Sequence, residues 1–159
     1  MSMPRWISST LEEEHVPFQI RRHRPCFTAQ EVAAAEHVSG HRMAKVVVVK
    51  ADDELVAVVL PASQRLDMEA VREQLRCSRC RLATEKEIAE RFPDCEVGAI
   101  PPLPHWDGVR ILADARIMQM QGPMVFQAGT HEDAIEMACD DWKRITHPMG
   151  ARLATSMMN

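Results

Sequence analysis

Lys45 stands directly in front of four consecutive valines, Val46 to Val49. A run of that kind reads as a buried strand, and an ammonium at its mouth is costly to desolvate. Lys45 therefore has two readings. Its methylene stem can lie along apolar surface with the charge in water, or the charge can be kept at the strand's end to meet an anion. Further on, Gly98-Ala99-Ile100-Pro101-Pro102 combines a glycine, which lets a ligand approach the backbone and exposes amide donors, with prolines that stiffen the chain. It is equally a plain turn. His131, placed just after Gly129 and Thr130, is a candidate acid–base or binding group, although a single histidine is more often structural.

Cys77 and Cys80 have the spacing of half a zinc site or of a redox pair. A structural zinc needs about four ligands, and no second pair follows at a finger-like distance. A redox pair opens a helix, whereas this one follows a helix. No Gly-x-Ser-x-Gly elbow, His-Glu-x-x-His helix or Gly-x-x-x-x-Gly-Lys loop occurs, so a conventional covalent hydrolase, zinc peptidase or P-loop enzyme is not indicated. No metal or cofactor is expected.

The elements that must position these groups are legible from caps and periodicity. A first helix with Pro4 in its opening turn should stop before Pro17, and residues 18–22 read as a strand. Thr28 with Glu31 forms a capping-box pattern ahead of a helix running to about His37. Residues 43–49 and 55–60, separated by Asp52, Asp53 and Glu54, read as a hairpin of buried strands. Asp67, and then Thr84 with Glu87, cap two amphipathic helices. Residues 92–108 hold four prolines and two glycines and should form a structured loop, a kind that is usually functional. Residues 109–112, 115–120 and 124–127 read as strands. Thr130 then caps a helix with Ala134, Ala138 and Trp142 inward.

Strands and helices mix without regular βαβ alternation, which predicts an α+β fold with a curved mixed sheet. The length of 159 residues suits one domain, residues 1–148, followed by a tail, 149–159, with little to bury and free to move. No stretch approaches a membrane span, and five scattered cysteines suit reduced thiols, so a cytoplasmic protein is expected. The net charge of −4 gives no general attraction for phosphate backbones. Two basic clusters, Arg21, Arg22, His23 and Arg24, and then Arg72, Arg76, Arg79 and Arg81, are either local contacts to nucleic acid or solvated faces.

Five features in order give a resemblance: His23 followed by Pro25; Thr28 and Glu31 with an alanine-rich helix; Ala44-Lys45 opening an apolar strand; the Gly98-x-x-x-Pro102 loop; and FQAGTH, residues 126–131. From about Phe18 to Ile145 the chain resembles the YbaK-type proteins and prolyl-tRNA-synthetase editing domains, which hydrolyse mischarged aminoacyl-tRNA. The resemblance implies a barrel-like mixed sheet flanked by helices and a pocket where the strand lysine meets the glycine loop. It implies that Lys45 holds the phosphate or carbonyl end of the terminal adenosine ester, that Gly98 presents its N–H, and that His131 lines the amino-acid side. Substrate-binding roles for His23, Thr28, Ala99, Ile100, Pro101, Pro102, Gly129 and Thr130 come with it. Val46 stands where alanine-selective relatives tend to carry asparagine, and Pro104 where many members have glycine.

What the resemblance implies is a trans-editing deacylase acting on the 3′ acceptor end of aminoacyl-tRNA, with tRNA for proline carrying a small amino acid the leading substrate. The ester is already activated, so an oriented water and backbone donors for the oxyanion suffice without a protein nucleophile. A synthetase is the further partner it suggests, and no membrane. A non-catalytic module of the same fold that binds aminoacyl ends or a synthetase would carry the same motifs.

Overall fold

The structure, a computed structural model, describes residues 1–26 and 28–156. Helix α1 (Arg5–Glu13) begins after Pro4 and buries Ile7 and Leu11. Strand β1 (Phe18–Arg22) follows, then α2 (Ala29–Ala35), whose Thr28 hydroxyl accepts from Glu31 N at 3.1 Å. Strands β2 (Ala44–Ala51) and β3 (Glu54–Pro61) form the expected hairpin, with Lys45 opposite Leu60 and Ala51 opposite Glu54. A short β4 (Gln64–Leu66) leads to α3 (Met68–Leu75), where Asp67 accepts from Ala70 N. Strand β5 (Cys80–Leu82) precedes α4 (Glu85–Arg91), which has both halves of the Thr84 and Glu87 capping box. After the long loop come β6 (Arg110–Asp114), α5 (Ala115–Met118), β7 (Pro123–Gln127), β8 (Asp133–Ala138), α6 (Cys139–Thr146), β9 (Met149–Ala151) and β10 (Ala154–Ser156).

The strands make a five-stranded sheet in the order β5-β2-β3-β6-β9, a three-stranded sheet β1-β8-β7, and the pair β10-β4. The larger sheet is mixed, since β3 pairs with β6 in parallel and with β2 antiparallel. The α+β class with a mixed sheet is as expected, but the described strands stay in separate sheets and do not close into a barrel. A single parallel bridge, Met43 to Val125, brings the start of β2 beside β7 and joins the two larger sheets. Arg42 secures this junction: its carbonyl accepts from Val125 N at 3.0 Å, and its guanidinium donates to Gln121 O and Pro123 O at 2.7 and 2.8 Å.

Side-chain alternation across these strands divides the core. One cluster, around Ile7, Leu11, Phe126, Ile135 and Trp142, lies under α1 and α6. On the opposite face of β7, Met43, Ala62, Val125 and Ala134 pack with Cys26, Val32 and Ala33 beneath α2. A further cluster of Val48, Phe92, Cys95 and Ile100 seats the long loop. Among the described residues no helix is long and apolar enough to cross a membrane.

Three expectations are corrected. Residues 115–118 form a helical turn, not a strand, because the Asp114 carboxylate accepts from Arg116 N and caps it. Residues 133–138, read as helix, are the central strand of the three-stranded sheet. Thr130 does make a local cap, donating to Asp133 Oδ2 at 2.5 Å and accepting from Glu132 N. That cap closes a turn, and pairing with β1 on one side and β7 on the other then sets the backbone. The helix begins later, at Cys139, with Trp142 inward as expected. Finally, the segment after Pro148 does bury surface: Met149–Ala151 pairs with β6, Ala154–Ser156 pairs with β4, and Leu153 is fully buried with its N–H on Asp114 Oδ1 at 2.8 Å. Residues 157–159 of the expected tail lie outside the described residues.

Candidate functional site

Where β2, β7 and the N-terminal end of α2 converge on the long loop, the protein carries a cavity of about 350 Å³. Its wall is made by Thr28, Ala29 and Gln30 of the α2 start, Ala44, Lys45 and Val46 of β2, Ala62, Gly98 and Ile100 of the loop, and Gln127 at the end of β7. The α2 roof is tied down by Gln30, which donates to Ala62 O at 3.2 Å.

Lys45 and Gly98 thus open onto one space. Burial holds the Lys45 ammonium below the usual lysine range, because leaving water penalises the charged form. Among the described residues the Lys45 ammonium has no hydrogen-bond or ion-pair partner, and the cavity lining holds no carboxylate to balance it. Gly98 takes φ 89°, a left-handed conformation natural to glycine, at the point where the loop turns toward the cavity. Its N–H likewise has no partner among the described residues.

The loop is held from behind. Glu96 N donates to Gly129 O and Gly129 N donates to Ala99 O, both at 2.8 Å. His131 completes this brace: Nδ1 lies 2.9 Å from Cys26 O and Nε2 lies 2.9 Å from Val97 O, with Glu96 Oε2 at 3.7 Å. Its ring therefore links the segment before α2 to the residue next to Gly98. His131 is not among the described residues that line the cavity, so the structure does not place it on an amino-acid side of that wall.

Of the other residues singled out by sequence, Thr28 and Ile100 line the cavity, and His23, Ala99, Pro101, Pro102, Gly129 and Thr130 are not among its lining. Pro102 and Gly129 fasten the loop. Pro102 O accepts from the buried Trp142 Nε1 at 2.7 Å, which fastens the loop to α6. Gly129, at φ 88°, passes so close to Pro4 that a Cβ would lie 2.6 Å from its Cδ. His23 Nδ1 lies 2.7 Å from Arg24 O.

Ala44 and Val46, named in sequence beside Lys45, also line the cavity, whereas Ala29, Gln30, Ala62 and Gln127 were given no site role from sequence. The alanines carry no chemical signal, but Gln127 does: it is a polar residue inside the buried run from Met124 to Ala128. It is 6% exposed, and both its amide nitrogen and its amide oxygen are buried without a hydrogen-bond partner. An unpaired buried amide of this kind costs about 1–3 kcal/mol, so native proteins seldom leave one without a use.

Among the described residues, four of the seven arginines in the two basic clusters are paired with carboxylates. Arg21 meets Glu136 at 3.1 Å, Arg22 meets Glu132 at 3.1 Å, Arg81 meets Glu87 at 2.8 Å, and Arg72 pairs with Glu69. None of the five cysteines lines the cavity. Burial pushes the Cys80 thiol up to about 11 and Cys95 up to about 12, so neither is a thiolate at neutral pH. Cys77 and Cys80 have no further ligand nearby: among the described residues no group of three or more His, Cys, Asp or Glu is gathered for a metal.

Residues 23–145 match the family model of the aminoacyl-tRNA editing domain. The chain is 24% identical over 142 residues to the multifunctional Ser/Thr-tRNA deacylase ProXp-y of Escherichia coli K12, spanning 87% of this chain and 84% of that one. It is 30% identical over 98 residues to the proline–tRNA ligase of Lactococcus lactis, covering 62% of this chain and 16% of the ligase. Among solved structures, the hypothetical protein APE2540 superposes with a TM-score of 0.85 at 20% identity, over 94% of this chain and 99% of that one. A protein described as a candidate trans-editing enzyme for prolyl-tRNA synthetase superposes with a TM-score of 0.82 at 18% identity, over 96% of each chain.

Proposed function

Because the chain belongs to the family of aminoacyl-tRNA editing domains, we propose that it acts in trans on mischarged aminoacyl-tRNA, hydrolysing the ester between a small amino acid and the terminal adenosine. The observation that carries this reading is the shared cavity, in which an unpaired, half-buried ammonium from β2 and the turn at Gly98 line one wall. In this reading Lys45 meets the phosphate or carbonyl end of the ester. Gly98 N–H faces the carbonyl oxygen and strengthens its hold as negative charge develops there, the general role of an oxyanion donor.

Water is the nucleophile. None of the cysteines lines the cavity, burial raises the Cys80, Cys95 and Cys139 thiols, and the Thr28 hydroxyl caps α2 by accepting from Glu31 N. The ester needs little more than orientation of that water and a place for the charge. His131 acts as a positioning residue: by bridging Cys26 O and Val97 O it sets the loop on which Gly98 sits. Serine and threonine are the first amino acids to test, since the E. coli relative is named for them. tRNA for proline is the first carrier, given the ligase match.

Partly paired basic clusters and a net charge of −4 leave tRNA affinity modest, which favours a synthetase as supplier of charged tRNA in the cytoplasm. The test is deacylation of a panel of tRNAs charged with alanine, cysteine, serine and threonine. Cleavage of at least one well above the spontaneous rate is expected. Saturable binding with no cleavage of any would replace the hydrolase with a binding module.

A further inference from the structure

The unpaired carboxamide of Gln127 is not used by the reading above. It sits on the same wall as Lys45, it is 6% exposed, and its Nε2 and Oε1 are both orphaned. The parallel bridge between Met43 and Val125 explains the placement. Two residues further along each strand come Lys45 and Gln127, on the same face and on adjoining strands. The polar residues that share the cavity wall, Thr28, Gln30 and Lys45, leave both ends of the Gln127 amide without a hydrogen bond.

We propose that Gln127 is a specificity-determining residue whose carboxamide reads the side-chain hydroxyl of the esterified amino acid, so that the site selects serine and threonine over alanine. A primary carboxamide presents one acceptor oxygen and one donor nitrogen, and an alcohol is the small group that both donates and accepts. The aminoacyl group is also the free end of the substrate. The adenosine is tied to the acceptor strand and stays nearer the mouth, so the aminoacyl side chain is the part of the substrate that meets the Gln127 carboxamide, which turns from its buried position toward the cavity to do so. With alanine bound, both polar atoms of Gln127 stay unpaired. Sites that bind a substrate hydroxyl discriminate against the analogue lacking it by up to about 10⁴–10⁵-fold. The inference rests on the editing reading of the cavity.

Two measurements test it separately from that reading. The first is binding of non-hydrolysable amide analogues, 3′-seryl- and 3′-alanylamino-3′-deoxyadenosine, to the wild-type protein by calorimetry. The seryl analogue should bind at least about 100-fold more tightly, a conservative fraction of that discrimination. Equal binding overturns the proposal whether or not the protein is a hydrolase. The second is kcat/KM on seryl-, threonyl- and alanyl-tRNA for Gln127→Leu. The two hydroxylated substrates should lose about 100-fold or more while alanyl-tRNA changes little.

Equal loss on all three would mean that Gln127 reads the adenosine or only shapes the wall, and unchanged rates would mean that it reads nothing; either overturns the proposal. Should the wild type cleave none of them yet prefer the seryl analogue, the hydrolase reading fails, and binding of the two analogues to Gln127→Leu decides the role of Gln127: loss of the preference supports it and survival of the preference overturns it. Gln127→Leu removes two orphaned polar atoms at nearly constant volume, so its melting temperature should hold or rise. If Gln127→Leu does not fold, Gln127→Met, of similar length and flexibility, is read in the same way, and a seryl preference that survives loss of the carboxamide overturns the proposal.

Discussion

Replacing Lys45 by methionine separates the charge from the stem that carries it. The ammonium is half-buried, has no partner among the described residues, and titrates below the lysine range because of burial alone. Removing it while keeping a flexible apolar chain of similar length should therefore leave stability unchanged or raise it. Activity should move the other way. If Lys45 faces the charge that develops on the ester, its loss costs roughly what removal of an oxyanion donor costs, about 2.7–4 kcal/mol, or a 10²–10³-fold fall in kcat. At about 2.1 cal/mol/K per residue, unfolding this chain of 159 residues carries about 0.3 kcal/mol per degree, so 1 kcal/mol corresponds to about 3 °C in Tm. The assay pairs single-turnover deacylation with a thermal melt. A variant that retains its rate within about threefold and melts more than about 3 °C lower would show that the charge serves the fold and not the reaction, and the reasoning would be refuted. The pH dependence carries the same sign. Because the folded pKa lies below the unfolded one, the unfolded chain binds more protons between the two values. Lys45 therefore lets stability rise with pH across that window, and the rise should vanish in Lys45→Met.

Leu153→Ala tests the C-terminal segment: the side chain is fully buried, so a loss of about 2–5 kcal/mol is expected in denaturant melts. A loss under about 0.5 kcal/mol, the level of a surface substitution, would show that β9 and β10 contribute nothing. Gly129→Ala should cost about 1–3 kcal/mol through its left-handed backbone, with added crowding against Pro4, and lower the deacylation rate by shifting the loop that Gly129 holds at Glu96 and Ala99. Native stability and rate together would deny that this contact positions the site. With Cys80 and Cys95 pushed up to about 11 and about 12 by burial, a thiol reagent at pH 8 should label the folded protein far more slowly than the denatured chain. Equal rates would contradict the burial.

Read alone, the sequence determined the features that close within a few residues. Thr28, Asp67 and Thr84 cap the helices they precede, because a side-chain oxygen meets a backbone N–H two or three positions on and needs no distant partner. The β2–β3 hairpin follows from two β-branched runs around an acidic turn, and the proline-rich loop from residues that cannot continue a helix or strand. Lys45 at the strand's mouth and Gly98 in the loop were legible for the same reason: the oddity of each is local. Only the tertiary structure decided what depends on a second segment of chain. Residues 133–138 are a strand because β1 and β7 flank them on both sides, and the segment after Pro148 is ordered through Ser156 because β6, β4 and Asp114 receive it. His131 became a brace through two carbonyls, one of them 105 positions away in the chain. That Gln127 is orphaned is a property of everything around it. No reading of its neighbours in sequence contains that fact, because hydrogen-bond satisfaction is settled only where distant strands meet.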